Sequence, residues 1–261
     1  ALTPRMAYYT PGTNKPGDDL DNLYNIGGTG SANTLTNSLR TTTTTDDVSY
    51  DLTCSVTVNG VPTPHGGLVL SDGRVGNATT ALEAVPLVNA AAVNWRVTNS
   101  SRTTGCTVGT WGSVNPTTKR LIMSNQNGDC GASRNGPVSV VYGENASSVR
   151  ITQRSGLLRL AATAIGVYLP FDHGDAPASY GDAGNRLVQP FTNGDIPATA
   201  IDLWGPTPAT PLPGTARLGT LSDADAPAWT SANATGDDVN TSGTGNPYGP
   251  AEDEDALSGT V

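Results

Sequence analysis

The stretch "SYDLTCSVTVNG", residues 49–60, decides how the chain is read. Tyr50, Leu52, Cys54, Val56 and Val58 fall on one side of an extended backbone and mostly polar residues fall on the other. That is the period-two pattern of a half-buried strand. Asn59-Gly60 follows at once, and Asn-Gly is a strong hairpin signal because a type I′ turn needs positive φ at both central residues. Further along, "GLVLSDG" (67–73), "VNWRVTNS" (93–100), "RLIMSNQNG" (120–128), "VSVVYG" (138–143), "SVRITQRS" (148–155) and "LRLAATAIGVYLPF" (158–171) repeat the theme. Asp-Gly at 72–73 and Asn-Gly at 127–128 and 135–136 punctuate them. Six or more short strands separated by turns predict an all-β fold, an antiparallel sandwich or jelly roll. No βαβ alternation is visible, which argues against a parallel-sheet enzyme. "TTALEAVPLVNAAAV" (79–93) is ambiguous and reads as a helical turn broken by Pro86.

Composition agrees. The 261 residues include 31 Gly and 19 Pro but no long runs of helix formers. The net charge of −9 is unevenly placed. Residues 1–170 carry 12 Lys and Arg against 10 Asp and Glu, whereas residues 171–261 carry 2 against 13. This shift marks a boundary near residue 170, with a β-sandwich over 1–170 and an acidic, Pro-rich module over 171–261. The net charge argues against a nucleic-acid partner, which needs a basic patch. No stretch is apolar and long enough to span a membrane. No leader pattern is visible, and the opening "ALTPRMAYY" reads as a mature protein or an excised piece. The expectation is a monomeric fragment of a longer multidomain chain.

Three cysteines are present: Cys54, Cys106 and Cys130. One disulfide plus an odd thiol is the simplest arithmetic, and Cys106–Cys130 is the preferred pair because the two flank one strand–turn stretch. Such a loop contributes about 3 kcal/mol in the chain-entropy model. Three reduced thiols are the alternative. No spacing suggests zinc.

Beyond Phe171 the strand pattern weakens. Ten prolines fall in the last 91 residues, and "LWGPTPATPLPG" (203–214) approaches a polyproline stretch. Such a segment buries little apolar area. It also carries acid clusters in "DHGDAPASYGD" (172–182), "ATGDD" (234–238) and "PAEDEDA" (250–256). Calcium accommodates such clusters, since it takes six to eight oxygens in tolerant geometry and ties together a segment without a core. In an extended "AEDED", Asp253 and Asp255 share one side. They could close on Asp172 and Asp175, with Asp237 or Asp238 completing the shell. No EF-hand spacing is present. A solvated acidic linker is the competing reading.

These acidic blocks resemble the GEVED module of large bacterial surface proteins. Asp172, Gly174, Asp175, Ala176, Pro177, Ser179, Tyr180 and Gly181 match its opening. Leu218-Gly219 match its Leu-Gly step, Asp223 and Asp225 its middle, Gly236 to Asp238 its Gly-Asp-Asp, and Asp253 to Asp255 its close, with Ala256 where the pattern has Gly. The resemblance implies a small, loop-rich, calcium-stabilised β module and adds Asp223 and Asp225 to the metal candidates. Residues 1–170 are similar to the non-repetitive adhesive region of CshA-type surface adhesins, through "YYTPGTNKPGDDLDNLYNIGGTG", "YDLTCSVTVNGVPTPHGGLVLSDG" and "NWRVTNSS…GC". That resemblance implies a lectin-like β-sandwich on the bacterial cell surface, binding a host glycoprotein or surface glycan.

Ligand candidates in the first region begin with Asp18, Asp19, Asp21 and Asn22, a short loop of carboxylates and an amide that suits hydroxyl pairs or a second calcium ion. Turn chemistry is the alternative for each of them. Tyr24 and Trp111 are the aromatics for stacking. Trp111 lies in the Gly-rich "TVGTWGSV" and reads as exposed, whereas Trp95 lies mid-strand and reads as core. Arg96, Arg102 and Arg134 are candidate readers of acidic groups, with solvated surface as the default. No G-x-S-x-G, Walker loop or dinucleotide fingerprint is present. Glu83 and Glu144, the two glutamates before residue 170, are what a glycoside-hydrolase reading would have to use. The reading is binding without turnover.

Overall fold

The computed structural model describes residues 6–8, 37–42, 47–58, 60–63, 65–72, 82–101, 107, 109–125, 138–154, 162–168, 171–173, 184–186 and 191–211. The chain divides into two compact units, one of residues 1–168 with 193–210, the other of residues 169–192 with 211–261. The strands of the first unit up to Tyr168 are β1 (Met6–Tyr8), β2 (Asn37–Thr41), β3 (Val48–Thr53), β4 (Val56–Val58), β5 (Val61–Thr63), β6 (Gly67–Asp72), β7 (Leu82–Pro86), β8 (Asn94–Ser101), β9 (Thr110–Val114), β10 (Leu121–Asn125), β11 (Val138–Glu144), β12 (Ser148–Gln153) and β13 (Ala162–Tyr168). Then follow β14 (Phe171–His173), β15 (Gly184–Arg186), β16 (Phe191–Thr192), β17 (Ile201–Asp202) and β18 (Thr210–Pro211). Among the described residues the one helical turn is a 3-10 turn at Ala90–Ala92.

Two six-stranded sheets make an all-β sandwich. One runs β1-β2-β13-β6-β11-β8 and the other β17-β9-β10-β7-β12-β3. The pairings in both are antiparallel. Alternation along each strand sends one set of side chains into a common core. Leu68 and Leu70 of β6, Trp95 and Val97 of β8 and Val141 of β11 meet Leu82 of β7, Leu121 and Met123 of β10, and Val149 and Ile151 of β12 there. Tyr50, Leu52 and Cys54 pack against that cluster, as their alternation predicts. The Asn59-Gly60 signal also holds: β4 and β5 pair as a hairpin with Gly60 at φ +80°.

Trp95 is 1% exposed and fixes two things at once. Its ring lies over Gly143, where an added Cβ would sit 2.6 Å from the indole. Its Nε1–H donates to the Lys119 carbonyl at 2.7 Å and so holds the turn between β9 and β10. In that turn the Asn115 side-chain oxygen accepts from the backbone N–H of Thr117 and Thr118, each at 2.9 Å.

A polar knot links the two sheets inside the core. The buried Gln153 amide of β12 donates to the buried Thr163 hydroxyl of β13 at 2.6 Å. Burial pushes the nearby Tyr50 phenol well above its ordinary pKa, and the Thr163 hydroxyl opposes part of that rise.

The ambiguous stretch 79–93 divides at Pro86: residues 82–86 form strand β7, with Leu82, Ala84 and Pro86 buried on alternate positions, and the helical turn lies beyond it at Ala90–Ala92. "TWGSV" forms strand β9 between β10 and the short β17, and Trp111 is half-buried on its outer face, more exposed than the core residue Trp95.

The segment Asn193–Thr210 has a role that its acidic, Pro-rich setting does not announce. It belongs to the first unit and hydrogen-bonds along the edges of both sheets. On β8, Val97 N–H donates to Gly194 O at 2.7 Å, Ile196 N–H to Trp95 O at 3.1 Å, and Ala209 N–H to Val97 O at 2.6 Å. On β9, Val114 N–H donates to Pro197 O at 2.9 Å, Leu203 N–H donates to Thr110 O at 2.8 Å, and Ile201 pairs with Gly112. Ile196 and Leu203 drop into the core. Gly194, at φ +70°, passes so close to Val97 O that a Cβ would lie 2.5 Å from it.

In the second unit β14 and β15 pair antiparallel, with Phe171 opposite Arg186, Asp172 opposite Asn185 and His173 opposite Gly184. These strands flank residues 174–183, which hold the "GDAPASYGDA" block.

Candidate functional site

The strap over residues 193–210 brings three chemically useful residues to one end of the second sheet. Asp202 of β17 is directly opposite Trp111 of β9, so their side chains share the outer face. The Asp202 carboxylate lies against Gly109, where an added Cβ would stand 2.5–2.6 Å from the carboxyl atoms. Only a residue without a side chain leaves that space. Asp202 also closes the turn that follows. Its Oδ1 accepts the Trp204 N–H at 3.0 Å, and its carbonyl accepts the Gly205 N–H at 3.1 Å. Leu203, fully buried, anchors the turn from below, and Trp204 emerges 46% exposed. The Trp204 side chain is therefore carried on a backbone held at both ends.

Asp202 and Trp204 were not among the residues singled out from sequence. The signals were "IDLWGP" (201–206) and an Asn-Gly at 193–194, which adopts positive φ at both residues. Both lie in the stretch that composition assigns to the acidic region.

Among the described residues, Arg96, Arg120, Arg150 and Arg154 are engaged elsewhere. Arg96, only 11% exposed, is 3.2 Å from Glu144, 2.8 Å from Asp195 and donates to Asn193 O at 2.7 Å, so it clamps the strap instead of reading a ligand. Arg120 pairs with Glu83, and Arg154 lies 3.0 Å from Asp47 and 3.8 Å from Glu83. Arg150 grips Asp51 through two bonds of 2.7 and 2.9 Å, which holds the Asp51 carboxyl below its usual range. An open hollow of about 330 Å³ lies beside that pair, lined by Ser49, Tyr50, Asp51 and Arg150. Its charged residues neutralise each other. Glu83 and Glu144 sit on different sheets, Glu83 with Arg120 and Arg154 and Glu144 with Arg96, which is not the paired arrangement that glycoside hydrolysis uses.

Cys54 is a free thiol, and burial pushes its pKa up. His65 Nε2 lies 3.3 Å from the Cys54 carbonyl. Asp18, Asp19, Asp21, Asn22, Tyr24, Arg102, Cys106, Cys130 and Arg134 lie outside the described residues. So do Asp175, Asp223, Asp225, Asp237, Asp238, Asp253 and Asp255, while Asp172 is placed by its backbone alone, in β14. Among the described residues no three of His, Cys, Asp and Glu gather as a metal site. No helix among them is long and apolar enough to cross a membrane.

Comparison with known proteins returns one family. The model of the surface adhesin CshA non-repetitive domain 2 matches residues 1–168. No curated protein and no solved structure matches the chain. The match covers well over half of the 261 residues and coincides with the sandwich up to the end of β13. An all-β sandwich with this match identifies the chain as a member of the family of the surface adhesin CshA non-repetitive domain 2.

Proposed function

We propose that the chain is an adhesive segment that binds a host glycoprotein or a cell-surface glycan through its lectin-like β-sandwich. A calcium-stabilised module follows and connects the sandwich to a longer stalk. The family match over residues 1–168 carries the adhesive part of this reading. Catalytic turnover plays no part in it, and the arginine-bound state of Glu83 and Glu144 is consistent with that.

The calcium part rests on the acidic blocks of the last third and their resemblance to the GEVED module, with Asp172, Asp175, Asp223, Asp225, Asp237, Asp238, Asp253 and Asp255 as the ligand candidates. The β14–β15 pair, which flanks residues 174–183, supports a small β module there. Asp18, Asp19, Asp21, Asn22 and Tyr24 remain proposed ligand contacts, and Cys106–Cys130 the proposed disulfide.

The test is a binding screen of the 261-residue chain against immobilised host glycoproteins, their deglycosylated forms and a glycan panel, in millimolar calcium. Saturable binding to at least one glycoprotein or glycan is expected. Silence across the whole screen would instead make both units spacers of a larger surface protein.

A further inference from the structure

We infer that the open edge of β3 is a docking strip for an extended polypeptide segment of a protein partner, which adds to the sheet beside Ser49, Asp51 and Thr53. This deepens the adhesive reading, by naming protein backbone as what this edge grips, and rests on it. Each sheet has two edges among the described residues. β8 is bonded by the strap, β17 is part of the strap, and β1 is only three residues long. β3 is six residues long and pairs with β12 alone. Edge strands are ordinarily blunted by shortness, Pro, Lys, a bulge or a covering segment. Val48–Thr53 contains no Pro, Gly or Lys, and its register with β12 runs without a bulge.

Two hydrogen bonds fix which backbone groups the edge presents. Cys54 N–H donates to the Ser147 carbonyl at 3.0 Å and continues the β3–β12 register. Leu87 N–H donates to the Ser148 carbonyl at 2.9 Å, on the β7 side of the same strand. Bonding direction alternates along an antiparallel strand. Val48, Tyr50, Leu52 and Cys54 therefore bond toward β12, and the N–H and C=O groups of Ser49, Asp51 and Thr53 point the other way. All three of those residues are exposed.

The side chains define the guest. Tyr50 and Leu52 pack against the core yet stay half-buried, so apolar residues at alternate positions of an added strand would cover them. On the outer face Ser49 and Thr53 carry hydroxyls and Asp51 a carboxylate, and the hollow lined by Ser49, Tyr50, Asp51 and Arg150 leaves room for a neighbouring side chain. Cross-strand pairing favours Ser or Thr opposite the hydroxyls and Lys or Arg opposite Asp51. A segment that runs hydroxyl, apolar, basic, apolar, hydroxyl suits every position. A second copy of β3 suits them less well, because antiparallel pairing centred on Asp51 sets two aspartates opposite each other. A glycan has no repeat of N–H and C=O groups to answer such an edge; strand addition by a peptide does.

The experiment uses the whole chain and short blocked peptides that alternate Val and Thr around a central Lys. A Glu-centred version and a version N-methylated on the edge facing β3 stand beside them. Amide NMR should show saturable shifts centred on β3, and exchange should slow at the Ser49, Asp51 and Thr53 amides more than at those of Tyr50 and Leu52. N-methylation should weaken binding about tenfold, and so should Ser49→Pro, which removes an outward N–H that β12 does not use. The Glu-centred peptide should bind about 2–5-fold more weakly than the Lys-centred one, and Asp51→Asn should narrow that gap. Thermal melts establish that the variants fold, and the N-methylated peptide tests the same contact with the chain unchanged. In the glycoprotein screen, binding should survive deglycosylation and weaken in Ser49→Pro. Absence of peptide binding, peptide binding indifferent to N-methylation, or shifts centred away from β3 would overturn the docking strip. Glycoprotein binding that vanishes on deglycosylation would overturn it too, and would leave the adhesive reading standing. A dimer of the chain that Ser49→Pro breaks would assign the edge to a second copy and overturn the peptide partner. A wild type that binds no peptide, glycoprotein or glycan would overturn both readings.

Discussion

At the residue scale the ladder between β3 and β12 shows how one face of a sheet is made specific. Each outward residue of β3 from Ser49 to Thr53 meets a partner of matching chemistry. The Ser49 and Thr152 hydroxyls are 2.8 Å apart, as are those of Thr53 and Ser148, and the Asp51–Arg150 pair lies between them. A register slip of one residue would break all three contacts. The carboxyl of Asp51 is held low chiefly by its hydrogen bonds to Arg150. A depressed folded pKa contributes stability that is fully present above the ordinary value of about 3.9 and is lost as pH falls through the folded value. In a carboxyl-resolved NMR titration Asp51 should therefore titrate below the ordinary value, and Arg150→Ala should return it there. Both side chains are open to solvent, so the melting temperature at neutral pH should barely move. Legibility at this scale was uneven. The alternation at Tyr50, Leu52 and Cys54 and the core position of Trp95 were readable because each follows from a local period. Trp111 read as more exposed than Trp95, which it is, but its place on a paired strand was hidden by the glycines around it. Gly109 and Gly112 are small because Asp202 and Leu203 occupy their space, and those neighbours arrive from 90 residues away in sequence.

At the element scale the strap is the part of the fold that the sequence conceals. Edge strands expose unpaired backbone groups, and proteins cover them. Here one segment covers β8 and β9 together, with Leu203 as its apolar pin over Gly112. Leu203→Ala should cost about 2–5 kcal/mol in a denaturant titration. It should also speed amide exchange at Val97, Ile196 and Leu203 more than in the β12–β3 ladder. Equal loss of protection everywhere would mean that the strap has no separate stability. Composition grouped these residues with the acidic tail because charge and proline counts report chemistry along the chain, whereas the strap's hydrogen bonds depend on where two distant edges lie. Strand β7 was hidden for a related reason. A five-residue segment has too few periods to separate strand from helix, and only pairing with β10 and β12 decides it.

At the scale of the whole molecule the charge asymmetry sets the behaviour. The first 170 residues are nearly balanced, and the acidic excess lies beyond them. Extracellular calcium modules have dissociation constants near 10⁻⁴–10⁻³ M. At ten times that constant, linkage gives about 1.4 kcal/mol per site. Calorimetry in millimolar calcium and again in chelator should show a transition that moves down on chelation, while the sandwich transition stays in place. A thermogram untouched by the chelator would remove calcium from the account. The all-β class was legible from the repeated short strands, and the family match extends to the same strands that carried it.

The path of the chain has one more consequence. It leaves the first unit after Tyr168, comes back at Asn193 and departs again after Thr210. The excursion between, residues 169–192, is spliced to the sandwich at both ends. A protease nick inside it would leave two polypeptides still joined by the returning segment's backbone bonds and by Ile196 and Leu203. The severed halves should travel together through a sizing column and part only in denaturant. An adhesin built this way would keep its grip on the cell after a cut that would release a domain hung from a single thread.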